Sequence, residues 1–223
     1  MQTLSIPKAL QRCAWLLACV WITGCASTHT RDYSAFLAAN PASILVLPPI
    51  NEAPEVQATA SVLSHATYPL AEAGYYVMPV TLVTETLREN GMHIAEDIHE
   101  IPAPKLREIF GADAALRIKI TRYGSTYLVI DSATVVTAQA QLVDLRTGAL
   151  LWSGEASASN KENKQNAASG PAGILISALV NQILSTATDA SHNVAGIATQ
   201  RLLSAGGPNG LLYGPRSPMR GNK

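Results

Sequence analysis

Leu142-Val143-Asp144-Leu145-Arg146-Thr147-Gly148-Ala149-Leu150-Leu151-Trp152 reads as the end of one β-strand, a tight turn and the start of another. Asp144 can accept hydrogen bonds from the turn backbone, and Gly148 supplies the left-handed residue with which a bulged hairpin loop closes. Upstream, Val136, Ala138, Ala140 and Leu142 alternate with Thr137, Gln139, Gln141 and Val143, so the run from Thr126 to Val143 is a long strand, with a bend or bulge expected near Asp131 to Ala133. Downstream, residues 149–155 return as its partner. Further back, Leu116, Ile118 and Ile120 alternate with Arg117, Lys119 and Thr121 in a strand from Ala114 to Arg122. Three consecutive antiparallel strands are therefore expected in the second half.

The first half has a different rhythm. Ser43-Ile44-Leu45-Val46-Leu47, stopped by Pro48-Pro49, has no alternation, the mark of a strand covered on both faces. Residues 56–73 carry a helical spacing strained by Pro69 and ended by Gly74. A strand is expected over Tyr75 to Val80, a helix through Leu82 and Leu87 closing at Asn90-Gly91, and another helix from Pro102 to Phe110 ended by Gly111. Strand and helix in alternation argue for parallel neighbours joined by crossovers. The expected fold class is α/β: a mixed β-sheet flanked by helices, an alternating strand-helix first half followed by an antiparallel hairpin and C-terminal helices.

Gly170-Pro171 opens an apolar helix, since proline at the first helical position sacrifices no hydrogen bond. Ser191 is a candidate cap for a last helix bearing Val194, Ile197, Ala198 and Leu202. Ser157 to Ser169 reads as an exposed polar loop. Residues 206–223 contain 5 Gly and 3 Pro, which preclude regular structure. The tail either hugs the body or is loose.

The amino-terminal end carries Lys8 and Arg12 before an uncharged apolar run from Cys13 to Ile22, too short to span about 30 Å of hydrocarbon. This is the outline of a secretory leader. Ile22-Thr23-Gly24-Cys25 resembles the bacterial lipobox, in which an aliphatic residue and two small ones precede an obligatory cysteine. The resemblance implies cleavage after Gly24 and acylation of Cys25 as the new terminus, and Ala26 in place of Asp favours the outer membrane. The expected organisation is a lipoprotein signal peptide at 1–24, a tether at 25–40, one α/β domain at 41–205 and a Gly/Pro-rich tail at 206–223. Two or three acyl chains hold a protein durably on a bilayer, at about 0.8 kcal/mol per buried methylene.

Composition excludes several classes. Of 223 residues 48% are hydrophobic and 14% charged, with 16 basic against 16 acidic side chains, unlike a disordered chain or a nucleic-acid binder. Loss of residues 1–24 removes Lys8 and Arg12 and no acid, leaving 14 basic against 16 acidic groups and no electrostatic partner implied. It also removes Cys13 and Cys19. Cys25 is then the one cysteine of the mature chain, which excludes a disulfide framework, a zinc-thiolate site and a cysteine nucleophile.

Catalytic constellations are not legible. His93, Glu96, Asp97 and Glu100 could share a helical face and bind a metal, but the spacing is not HExxH, and a solvated face over Ile94 and Ile98 is the better account. His29, His65 and His192 stand near no recognisable nucleophile in the sequence, and Ser169-Gly170-Pro171-Ala172-Gly173 lacks the lysine of a phosphate loop. No catalytic residue and no cofactor is assigned. Trp152 is either core or an interface anchor, and Leu212 and Tyr213 either dock on their own domain or are offered to a partner.

Phe110-Gly111-Ala112-Asp113-Ala114 and the 142–152 stretch resemble the Gly-Ala-Asp segment and the Asp-x-x-Thr-Gly hairpin of the curli-secretion lipoprotein, the lipoprotein activator of penicillin-binding protein and the amino-terminal domain of the Tol-system protein. The layout from the lipobox to Leu211-Leu212-Tyr213-Gly214-Pro215-Arg216 is more narrowly similar to a family of bacterial lipoproteins of unknown function first noticed among genome-derived surface antigens. The resemblance implies a lipid-anchored, non-enzymatic protein on the periplasmic face of the outer membrane, or exposed on its surface, in an envelope transport assembly with a curli-secretion-like lipoprotein. A second copy of the chain is a further candidate partner. The alternative readings are a lipoprotein regulator of peptidoglycan synthesis and a metal-dependent envelope enzyme.

Overall fold

In the computed structural model the described residues are 31–127, 132–162 and 190–221. In chain order the elements are α1 (Ser34–Ala39), β1 (Ser43–Val46), β2 (Ile50–Asn51), α2 (Ala58–Glu72), β3 (Tyr76–Val77), α3 (Val80–Glu89), α4 (Ala95–Glu100), α5 (Ala103–Phe110), β4 (Ala114–Arg122), β5 (Ser125–Tyr127), β6 (Ser132–Asp144), β7 (Leu150–Ser159) and α6 (Ala190–Leu203). The sheet is mixed and flanked by helices, as the sequence leads one to expect. β1 lies parallel between β3 and β4, and β6 lies antiparallel between β4 and β7. Pro48-Pro49 interrupts the β1 lane, which resumes as β2 against β4, and β5 continues the β4 lane against β6, so seven strands occupy five lanes.

β1 loses its alternation because both its faces are covered. Ile44 and Val46 join Leu116, Ile118 and Ile120 of β4 and Val136, Ala138, Ala140 and Leu142 of β6 in one core under α2 and α6. Leu45 and Leu47 point the other way, into a smaller core with Val83 and Leu87 of α3, Ile98 of α4 and Leu106 of α5. That second cover stops at the β1 side. Beyond it the same sheet face carries Arg117 and Lys119 opposite Gln141 and Gln139, and Gln139 opposite Glu155. The polar half of the strand alternation is therefore the half that faces away from the main core.

The turn at 144–148 forms as its residues dictate. The Thr147 amide and hydroxyl donate to Asp144 Oδ2 at 3.1 and 2.6 Å, the Gly148 amide closes onto the Asp144 carbonyl at 2.8 Å, and Gly148 has φ 76°. The pairing shifts from Leu142↔Trp152 to Val143↔Leu150, so Leu151 is the bulged residue.

Several expectations need correction. Within the stretch expected to be a tether, Ser34–Ala39 is helical with Phe36 buried at 4% exposure, because Phe36 finds the main core. The β3 strand is only Tyr76–Val77, since Pro79 caps the next helix. The helix expected through Pro69 does form, as α2, with Pro69 three residues before its end. β7 runs on to Ser159, paired with Val135, so the polar loop does not begin at Ser157. Ser191 lies within α6. The helix expected from Gly170-Pro171, Asp131 in the expected bend and Cys25 itself lie outside the described residues.

Candidate functional site

The C-terminal segment, irregular as expected, is held on the body by three aromatic donors. The hydroxyl of Tyr33 donates to the Gly210 carbonyl, the hydroxyl of Tyr75 to the Leu212 carbonyl, and Trp152 Nε1 to the Asn209 carbonyl at 3.2 Å. Leu211, between these acceptors, is fully buried. The chain then passes under Gly74, where the Gly214 amide donates to the Ala73 carbonyl at 2.8 Å. A Cβ on Gly74, whose φ is +89°, would lie 2.3 Å from the Ser217 nitrogen, so only glycine admits the tail here. Burial pushes the phenol of Tyr75 above its ordinary pKa, against a smaller opposing effect of Arg220, so Tyr75 stays a donor.

Between this segment and α1 lies a cleft of about 440 Å³, lined among others by Phe36, Leu37, Leu212, Tyr213, Met219 and Arg220. Tyr33 and Phe36 meet edge to face at 6.4 Å along its wall. Leu37 is 61% exposed and Met219 47%. Of the interface candidates, Leu212 and Tyr213 are half-buried and line this cleft. Trp152 does not. Its indole is 2% exposed and covers Gly154, where a Cβ would meet the ring at 2.4 Å, so the folded domain withholds it from any partner.

The His93 to Glu100 stretch is taken apart by the fold. α4 turns Ile98 and His99 inward and leaves Ile94 56% exposed, so the buried pair is Ile98 with His99, not Ile94 with Ile98. Because a carbonyl only accepts, the 2.9 Å contact of His99 Nε2 with Pro48 O fixes the Nε2–H tautomer. Burial, first among the causes, lowers the His99 pKa. Among the described residues no three of His, Cys, Asp or Glu gather as metal ligands. His93 instead borders a groove of about 530 Å³ with Val56, Leu63, Met92 and Ile94.

Two histidines that the sequence leaves isolated come together in the fold, and one of them meets a serine. His192 Nδ1 lies 2.8 Å from Ser61 Oγ, the His65 and His192 rings are 4.4 Å apart, and His65 Nε2 donates to the His192 carbonyl at 3.2 Å. Burial, then the charge of His192, lowers the His65 pKa and keeps it neutral. Ser61 is 7% exposed and lines neither cleft, so this cluster joins α2 to α6. Ser61 and His65 stand at i, i+4 on α2, but His192 is 131 residues from Ser61 and 127 from His65, so nothing local in the sequence announces the cluster.

The two motif aspartates form one clasp. Asp113 Oδ2 accepts from the Ala42 and Ser43 amides at 3.0 and 3.1 Å and from Ser43 Oγ at 3.0 Å, while the Asp113 carbonyl accepts from Leu145, the residue after Asp144, at 2.9 Å. Burial raises the Asp113 pKa, but these bonds and Arg107 outweigh it and hold it below the ordinary value. Both aspartates are occupied with backbone.

Residues 31–216 match the family described as "GNA1162-like: Putative lipoprotein GNA1162-like". A protein of Neisseria meningitidis serogroup B named "Putative lipoprotein NMB1124/NMB1162" is 50% identical over 185 residues, 83% of this chain and 85% of that protein. The crystal structure of lipoprotein GNA1162 from Neisseria meningitidis is 51% identical, with a TM-score of 0.53, covering 66% of this chain and 100% of that one. The PelC dodecamer structure from Paraburkholderia phytofirmans, at 18% identity and a TM-score of 0.45 over 76% of this chain and 89% of that one, is too distant to carry any statement about function. The chain belongs to the GNA1162-like lipoprotein family.

Proposed function

We propose that the protein is a lipid-anchored, non-enzymatic component of a bacterial envelope assembly. It is cleaved after Gly24, acylated on Cys25, held at the periplasmic face of the outer membrane, and offers its α/β body to other envelope lipoproteins, one of them curli-secretion-like. The observation that carries this reading is the order along the chain: the family match opens at residue 31, six residues after the cysteine of Ile22-Thr23-Gly24-Cys25. Among the described residues no helix is long and apolar enough to cross a membrane, and two or three acyl chains suffice to hold a protein on a bilayer. Supporting the binding role, the polar residues of the family motifs hold backbone, and the two described clefts are lined largely by apolar side chains.

Its mechanism is confinement. A body tethered to a surface meets partners on that surface at high effective concentration, so weak contacts suffice. The test is cross-linking and co-purification from membranes expressing the native chain and its Cys25→Ser variant. The native chain is expected to carry an acyl mass on residue 25 and to bring envelope lipoproteins with it. A chain without acyl mass, or one that emerges alone, overturns the reading. Stimulation of a purified peptidoglycan synthase would move the protein to the regulator class.

A further inference from the structure

Three arginines converge on residues 39–42, at the C-terminal end of α1. Arg146 Nη2 donates to the Ala39 carbonyl, Arg220 Nη2 to Asn40 Oδ1, and Arg216 Nη1 to the Ala42 carbonyl at 3.4 Å. All three side chains are exposed. Each guanidinium has five donors, and among the described residues Arg216 and Arg220 each engage one of them. Arg146 is additionally paired with Asp144 at 3.4 Å, and the nearby Asp113 is paired with Arg107 at 3.5 Å. Arg216 and Arg220 form no ion pair among the described residues.

The apolar cleft adjoins this cluster. Leu37 and Met219, both exposed, line it together with Asn40 and Arg220. Exposed aliphatic side chains beside unpaired guanidinium groups are the composition of a surface that meets lipid, with the apolar groups at the acyl boundary and the cations among phosphates. Connectivity supplies an independent argument. α1 is the element joined to the amino-terminal segment, and Tyr33 stands eight residues after Cys25. The mature chain as a whole is slightly acidic, so three arginines at this end are a local feature and not a reflection of overall charge.

We infer that the surface formed by Arg146, Arg216 and Arg220 with Leu37 and Met219 is the face on which the anchored body rests against anionic phospholipid headgroups. This rests on the lipid-anchored reading for its setting, but its test does not need the acyl group. A bilayer contact here fixes the orientation of the body, leaving the groove bordered by Val56 and Ile94 as a separate surface for protein partners.

The experiment uses the chain from residue 25 carrying Cys25→Ser, mixed with vesicles of phosphatidylethanolamine with or without phosphatidylglycerol. Cosedimentation is expected only when phosphatidylglycerol is present, and it falls as salt is raised. Arg216→Gln with Arg220→Gln is expected to weaken partition about fivefold per arginine, while Arg216→Lys with Arg220→Lys retains most of it. Arg88→Gln, on α3, is the control and leaves binding unchanged. Absence of binding to phosphatidylglycerol vesicles, salt-insensitive binding, or equal binding by the double Gln variant overturns the inference. Since the salt series uses the unmutated surface, misfolding of a variant does not protect it. An acylated native chain whose lipid-free form ignores these vesicles sinks the face and leaves the anchor standing. Vesicle binding by a chain that is not acylated in cells does the reverse.

Discussion

Asp113 ties the loop before β1 to the start of β4, and its side chain has no freedom to do anything else. Asp113→Ala removes three acceptor contacts and leaves the Ala42 and Ser43 amides to find water, a loss of about 2 kcal/mol in chemical denaturation. Because the folded pKa of Asp113 lies below its ordinary value of 3.8, the unfolded chain binds more protons in between. Its stability contribution is whole above that value and is lost as pH falls through the folded pKa. Asp144 behaves alike: burial raises its pKa, and the Thr147 and Arg146 contacts more than offset this. Asp113→Asn with Asp144→Asn should therefore flatten the acid limb of the stability curve, read as unfolding midpoint against pH. The buried histidines act at milder pH. His65 and His99 both have folded pKa values below 6.5, so acidification from pH 7 protonates them in the unfolded chain first and costs stability. His65→Gln should lessen the drop below pH 6.5.

At the scale of elements, the irregular C-terminal segment is as much a part of the core as the helices. Leu211→Ala opens a cavity beneath the three aromatic donors and should cost about 2 to 4 kcal/mol. Gly74→Ala forces a side chain into Ser217 and should release the segment, detected as proteolytic cleavage between residues 206 and 221 with the rest of the body intact. Trp152 reports on the same docking. Once residues 1–24 are removed it is the sole tryptophan, so its emission should be that of a buried indole and should shift to the red when residues 206–223 are deleted. An unshifted spectrum would mean that the segment does not cover the indole. Gly154→Ala drives a methyl into Trp152 and should destabilise by about 1 to 3 kcal/mol.

For the molecule as a whole, the sheet has a fully covered β1 side and a polar expanse over β4, β6 and β7, and the α1 end carries the arginines. Cys25→Ser should move the protein from the envelope fraction to the soluble one, and the arginine variants should leave the acylated chain in the envelope, since acyl burial far exceeds a few headgroup contacts. Much of this was written locally. The β4 alternation, the unbroken β1 run stopped by Pro48-Pro49 and the Asp144 to Gly148 turn each lie within a dozen residues, so their physical causes are neighbours in the chain. What joins distant parts was not legible. The donor of Tyr33 meets an acceptor 177 residues away, that of Tyr75 one 137 away and that of Trp152 one 57 away, and Ser61 meets His192 across 131. An aromatic side chain in isolation is equally suited to a core or to a partner. Which of the two it serves depends on the packing that brings a distant carbonyl within hydrogen-bond reach of its donor, and only the assembled sheet and helices provide that.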